Sequence, residues 1–335
     1  MKYYRIGIFY LSLIVMTGCQ QNVAQPETSA TTLESQVKNY GNNTNLSASG
    51  RKLLTEGLTH LKQGALLPGI ALWEQFVETS SHGALVKTVR TYLILLTREE
   101  GKRHANKITA EEHQFGDIAP KANVFAVIGF INESGEKPLH KAFMHMMTTD
   151  LAHIPHFKVV ERARIDAVMS EFALSAAHLL ENNHQLGQLL GASHIVSGSI
   201  LFNSRNESLQ ISSFIGETKT ENLVGEQDAK GNSSDFFTLQ KEILYEILLE
   251  MNVSEKDMPS ELHKIHTKNW LAFKHFSEGL HLLDEGRYHS ARQWLELAVS
   301  EDPEFHMARD MLATIPEQEY SLTEMIDQIS SVLEN

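Results

Sequence analysis

Val124-Phe125-Ala126-Val127-Ile128-Gly129-Phe130-Ile131 is the stretch whose reading decides the fold. A nearly continuous apolar run of this kind, bounded by turn residues, is the signature of a strand buried on both faces. After a loop from Asn132 to Pro138, Leu139 to His153 places Leu139, Ala142, Phe143, Met146, Met147 and Leu151 on one helical stripe. Pro155 breaks that helix, and Phe157 to Glu161 reads as a second strand. Two more helices are expected, one through Ile165, Val168, Met169 and Phe172, the other through Leu186, Leu189 and Leu190 and halted by Gly191. Ser193 to Phe202 is then a strand, Asn203 to Asn206 a tight turn, and Ser208 to Ile215 alternates as a half-exposed strand does. Leu223 to Gln227 reads as the last strand and Phe236 to Met251 as a closing amphipathic helix. The order βαβααβββα implies an α/β domain whose mixed sheet has an antiparallel hairpin at one side.

On either side of this region the chain repeats itself. Glu56-Gly57-Leu58-Thr59-His60-Leu61-Lys62-Gln63-Gly64 aligns with Glu278-Gly279-Leu280-His281-Leu282-Leu283-Asp284-Glu285-Gly286. In the second copy Gly279, Ala291 and Ala298 are small enough to let two antiparallel helices approach, while Leu282, Tyr288 and Leu295 fill the space between them. This copy resembles a tetratricopeptide repeat, with Pro303 ending it and helices from Phe305 and from Leu322 to Leu333 packing on it. The first copy carries Gly69, Trp73 and Phe76 at the corresponding places, with a helix from Leu85 to Leu96 as its partner. Helix pairs of this type cannot bury their faces alone. Thr97 to Asn123, charged and polar, reads as a linker or a solvated helix end.

The N-terminus has a different character. Lys2 and Arg5 precede an apolar run from Ile6 to Met16, well short of the roughly 20 residues a bilayer crossing needs. The run ends at Met16-Thr17-Gly18-Cys19, which resembles the lipobox of bacterial lipoproteins, with Met16 standing where leucine is usual. Cys19 is the single cysteine of the chain, so it has no disulfide partner, and the resemblance implies that it carries lipid. Gln20 after it implies, by the same resemblance, outer-membrane sorting facing the periplasm. Gln20 to about Ser47 is too polar to bury itself and reads as a flexible leash. The segments are therefore signal peptide 1–18, linker 19–47, helical segment 48–98, linker 99–121, α/β domain 122–252 and helical module 262–335.

Composition excludes more than it selects. The net charge of −13 argues against nucleic acid and against electrostatic attraction to anionic lipid, and removing residues 1–18 takes away two cations and no acid. With 17 histidines, a metal site has to be considered. His140 and His145 are five apart on one helix and point about 140° away from each other, whereas two ligands of one metal want a spacing of four. His153 and His156 flank Pro155 at a helix end, where histidines meet free carbonyls. Ser193 and His194 are strand neighbours, expected on opposite faces and unable to pair as nucleophile and base. No phosphate-cradling loop and no GxSxG elbow is present. No catalytic residue, cofactor or metal is expected. Arg162 and Arg164 are candidates for an anionic partner, against local ion pairing. Trp270, Phe273 and Phe276 are candidates for a peptide groove, against packing on the preceding domain.

Three motifs carry a family resemblance. Ala126-Val127-Ile128-Gly129-Phe130 with Asn132-Glu133-Ser134-Gly135, then Phe157 to Val168, then Leu186 to Ile200 resemble, in order, the signature segments of the curli-secretion-subunit (CsgG) and TolB-N-terminal-like envelope lipoprotein domains. The resemblance implies a non-enzymatic, outer-membrane-anchored scaffold or adaptor whose partners are envelope proteins. Lipoproteins that assist flagella or curli, and activators of peptidoglycan synthases, are relatives of that kind, and homo-oligomers occur among them. The rival is an oligomeric secretion-channel subunit, which needs long membrane-crossing hairpins; the sequence offers a single hairpin, Ser199 to Ile215.

Overall fold

In a computed structural model of the chain, the residues described are 46–80, 83–110, 120–128, 130–132, 138–171, 183–220, 222–318 and 320–334. Cys19, the signal peptide, nearly all of the leash, residues 133–137 of the first motif loop and Phe172 lie outside them. Among the described residues no helix is long and apolar enough to cross a membrane.

The helices are α1 (Ala48–Lys62), α2 (Leu66–Thr79), α3 (Ala84–Ala110), α4 (Leu139–Ala152), α5 (Arg162–Glu171), α6 (Asn183–Leu190), α7 (Phe236–Glu250), α8 (Trp270–Asp284), α9 (Tyr288–Glu301), α10 (His306–Thr314) and α11 (Leu322–Glu334). The strands are β1 (Lys121–Val127), β2 (Ile131–Asn132), β3 (Lys158–Val159), β4 (Ala192–Asn203), β5 (Ser208–Glu217) and β6 (Leu223–Asn232). They form one mixed sheet in the order β3-β1-β4-β5-β6. β1 is parallel to β3 and β4, while β4, β5 and β6 are antiparallel neighbours.

Alternation along the strands sorts side chains to two faces. Val124, Ala126, Ile128 and Ile195 meet α5, α6 and Ala105 of α3 on one side. Val127, Val196, Ile200, Ile211 and Ile215 meet α4 and α7 on the other, in a core that continues into the helical layer. β1 is thus buried on both faces, as its apolar run implies. The run is not one strand, however. The register passes from Val127↔Val196 to Ile131↔Ser199, so four steps on one strand answer three on its neighbour, and the strand resumes as β2 after this bulge. The second strand is only Lys158–Val159, extended by Val160 N–H donating to Phe125 O at 2.8 Å.

The reading of residues 99–121 as a linker is corrected over its first half, because α3 continues to Ala110. Three of its charged residues are answered individually: Arg103 Nε bonds Glu99 at 2.8 Å and Arg164 meets Glu100 at 3.2 Å. Between them, small residues face α5. A Cβ on Gly101 would lie 3.0 Å from Ala167 Cβ, and Ala105 is fully buried. The C-terminal half of α3 therefore belongs to the α/β domain, and its N-terminal half to the helical layer.

The internal repeat holds in three dimensions. α1 and α2 correspond to α8 and α9 with one constant separation in numbering at all four bounds. Ser47 and Asn269 cap the two opening helices, each accepting from backbone N–H groups. Gly64 and Gly286 close them at φ +76° and +73°, the left-handed conformation glycine takes without penalty. The two pairs do not stand apart. α10 packs on α3, α11 packs on α1, and Arg51 donates to Leu333 O at 2.6 Å, joining the first described helix to the last.

Candidate functional site

Of the residues singled out by sequence, Arg162, Phe273 and Phe276 lie at the seam between the α/β domain and the helices, and each is occupied there. Arg162, at the start of α5, pairs with Asp284 at the end of α8 and with Asp166 at 3.0 Å. Lys141 from the first turn of α4 reaches Asp284 at 2.7 Å and Asp166 at 3.6 Å. Arg98 of α3 completes the group, donating to Asp284 O at 2.9 Å beside Tyr288. Three helices thus meet on two carboxylates, and α3 joins them at the Asp284 carbonyl. Ser277 of α8 adds a neutral clamp: it donates to Pro138 O at 2.5 Å and accepts from Ala142 N–H at 3.2 Å, so one helix caps another.

A second polar group lies deeper. Asp150 of α4, its side chain 2% exposed, accepts from Lys241 at 2.8 Å and Gln240 at 2.9 Å on α7, and from His266 at 2.9 Å. Burial works to raise its pKa, but the hydrogen bonds and charges of His266 and Lys241 prevail and hold it below the usual carboxylate range. His266 precedes α8, so this cluster fixes the connection between the domain and the C-terminal helices.

The aromatic candidates divide. Phe273 and Phe276 are fully buried, Phe273 against Phe236 and Phe276 against Phe305. They do not line an open groove, because Phe236 and Phe237 of α7 cover Phe273, and His145 of α4 and Phe305 cover Phe276. Trp270, at the helix start, is half-buried beside Phe202, Phe236 and Phe273. Arg164 is taken up by Glu100.

The histidines act as single residues. His153 Nδ1 lies 2.8 Å from Thr149 O at the end of α4. Burial, then the charge of Lys141, pushes His140 down to about 4, and burial with the charge of Arg162 pushes His145 to about 3, so both are neutral near pH 7. Among the described residues no group of three or more histidine, cysteine or carboxylate side chains could hold a metal ion. Ser193 requires a correction: its Oγ does lie 3.0 Å from His194 Nδ1. The cause is a bulge in β1, where Lys121↔Ala192 is followed by Phe125↔His194. Ser193 Oγ fills the gap, 3.2 Å from Val124 N and 3.1 Å from Val124 O, while the His194 ring stacks on Phe125. The hydroxyl is committed to backbone.

The charged clusters were not found by sequence reasoning, since their members lie far apart in the chain. One signal was available for the deeper one. Asp150 falls on the apolar stripe of α4 and Lys241 on that of α7, and opposite charges on two buried faces imply a pair.

Residues 103–209 match the family model described as "Curli production assembly/transport component CsgG". The chain carries a CsgG-like domain, as the three motifs imply. The match opens within α3, ahead of the expected boundary at 122, in accord with the packing of that helix on α5. Similar solved structures include lipoprotein GNA1162 from Neisseria meningitidis, at 10% identity and a TM-score of 0.31, covering 40% of this chain and 99% of that one. Another is the LpoB C-terminal domain from Salmonella enterica, at 13% identity and a TM-score of 0.29, covering 39% of this chain and 94% of that one. No curated protein matches the sequence.

Proposed function

We propose that the protein is a lipid-anchored scaffold of the bacterial envelope, held through Cys19 in the outer membrane facing the periplasm, where it brings other envelope proteins together. The observation that carries this reading is the CsgG-family match over residues 103–209. The lipobox-like Met16-Thr17-Gly18-Cys19 and the polar leash support the anchor. The repeated helix pairs supply the kind of surface that binds peptides and proteins. The roles of Arg162, Ser193 and the histidines are structural in this reading, and catalysis is not among the functions proposed.

The rival, a secretion-channel subunit, asks β4 and β5 to cross a bilayer. Ile200, Leu209 and Ile211 instead serve as core under the helices, and their neighbours Ser199, Ser212 and Asp228 share the opposite face. In-cell crosslinking followed by partner identification, run beside a Cys19→Ser variant, tests the scaffold. Specific envelope proteins should be recovered, and their yield should fall several-fold when the anchor is lost. Recovery of no partner, with Cys19→Ser fractionating as wild type, would sink it.

A further inference from the structure

Between Glu261 and Glu278 the chain has no acidic residue, although it is acidic elsewhere, and this interval holds Lys264, Lys268 and Lys274. The fold divides the interval into inward and outward members. Leu262 and Thr267 are buried, His263 is hydrogen-bonded to Tyr245 at 2.6 Å, His266 is bonded to Asp150, and Asn269 caps α8. These five attachments pin the segment to the surface and leave Lys264, Ile265, Lys268 and Leu271 facing out, with Lys274 one turn along the same strip of α8 as Leu271. Ile265 is 37% exposed and Leu271 40%. Half-buried Trp270 borders them. Lys268 and half-buried Lys274 make no salt bridge with a described residue, and the charge of Lys264 helps lower the pKa of Glu261, while Thr267 bonds Asp302 and Asn269 bonds the Glu301 carbonyl.

We infer that residues 264–274 form a docking surface for an anionic lipid bilayer. Exposed aliphatic side chains ringed by lysines beside a tryptophan match what an interface of acyl chains and anionic headgroups accepts. The remainder of this net-negative molecule is repelled by such a surface, so the segment sets which side turns to it. Weak contacts suffice where a leash keeps the surface within reach of the membrane. The inference rests on the proposed anchor for that proximity, and the experiment supplies the tether by other means.

Residues 20–335, which retain every described residue, are held through an N-terminal histidine tag on vesicles containing nickel-chelating lipid. Tryptophan quenching by brominated lipid is compared between phosphatidylcholine vesicles with and without phosphatidylglycerol. Quenching should be several-fold stronger with phosphatidylglycerol, be removed by Trp270→Phe, fall several-fold in Lys264→Gln/Lys268→Gln/Lys274→Gln, and weaken with salt. A near-ultraviolet dichroism spectrum unchanged in the lysine variant keeps loss of folding apart from loss of docking. Equal quenching on both vesicles, or a lysine variant that behaves as wild type, overturns the inference; so does absent quenching accompanied by binding of the segment to an acidic protein. Failure of the anchor reading would show separately, as absence of lipid on Cys19 in cells.

Discussion

The pairing of Asp150 with Lys241 shows how a buried charge depends on its partner. Both side chains are nearly inaccessible, at 2% and 7% exposure, so removing Lys241 leaves the buried Asp150 carboxylate with only Gln240 and His266. Lys241→Met should destabilise the fold by about 3–5 kcal/mol in urea unfolding. A double replacement, Asp150→Leu with Lys241→Met, should cost less than the sum of the two single changes, because no lone charge then remains. His140 and His145 lead to a pH dependence. Folding holds both below the ordinary histidine value, so the unfolded chain binds protons first as the pH falls through about 6.5. Stability should fall from there toward about pH 4, by up to roughly 1.4 kcal/mol per pH unit for each histidine. His145→Leu should flatten that slope by about half in a series of denaturation midpoints. Asp150 acts in a separate window, losing its contribution only as acid protonates it below the ordinary carboxylate range.

At the scale of elements, the helix pairs depend on close approach. A Cβ at Gly57 would run into the Trp73 ring, and one at Gly279 would meet Leu295 Cγ at 2.9 Å. Trp73 is tied by its Nε1–H to Leu54 O at 3.3 Å and cannot turn aside. Gly57→Ala should therefore cost about 1–3 kcal/mol in thermal unfolding, and Gly279→Ala less, since a leucine can shift its rotamer. The apolar stripe of Leu139–Ala152, the β4–β5 hairpin and the second helix pair were legible in sequence because periodicity and turn residues agreed there. The end of α3 was not, since its charges are answered by Glu99, Glu100, Arg103 and Arg164 while Gly101 and Ala105 make sense only once α5 is in place. The length of β6 was also hidden. Leu223–Asn232 carries Glu226, Asp228 and Lys230 on one side, and charges of this sort protect a strand at a sheet edge. For the site, aromatic residues were recognisable at Trp270, Phe273 and Phe276, but which face of α8 another element would cover was not.

For the whole molecule, the core under α4 and α7 runs unbroken into α1, α2 and α8–α11. Domain and helices should therefore unfold together. Far-ultraviolet dichroism and tryptophan fluorescence should give coincident thermal transitions, because Trp73 lies in the N-terminal helix pair and the sheet in the centre. Two separated transitions would show that the seam built on Asp284 and Asp150 is weaker than its geometry implies.

The meeting of Arg51 with Leu333 bears on how the chain is made. These residues are 282 apart in sequence, so the N-terminal helices lack part of their packing surface until the final helix has been synthesised. A helix pair whose covering helix lies so far along the chain completes its packing late, and closing that separation slows the last step of its folding.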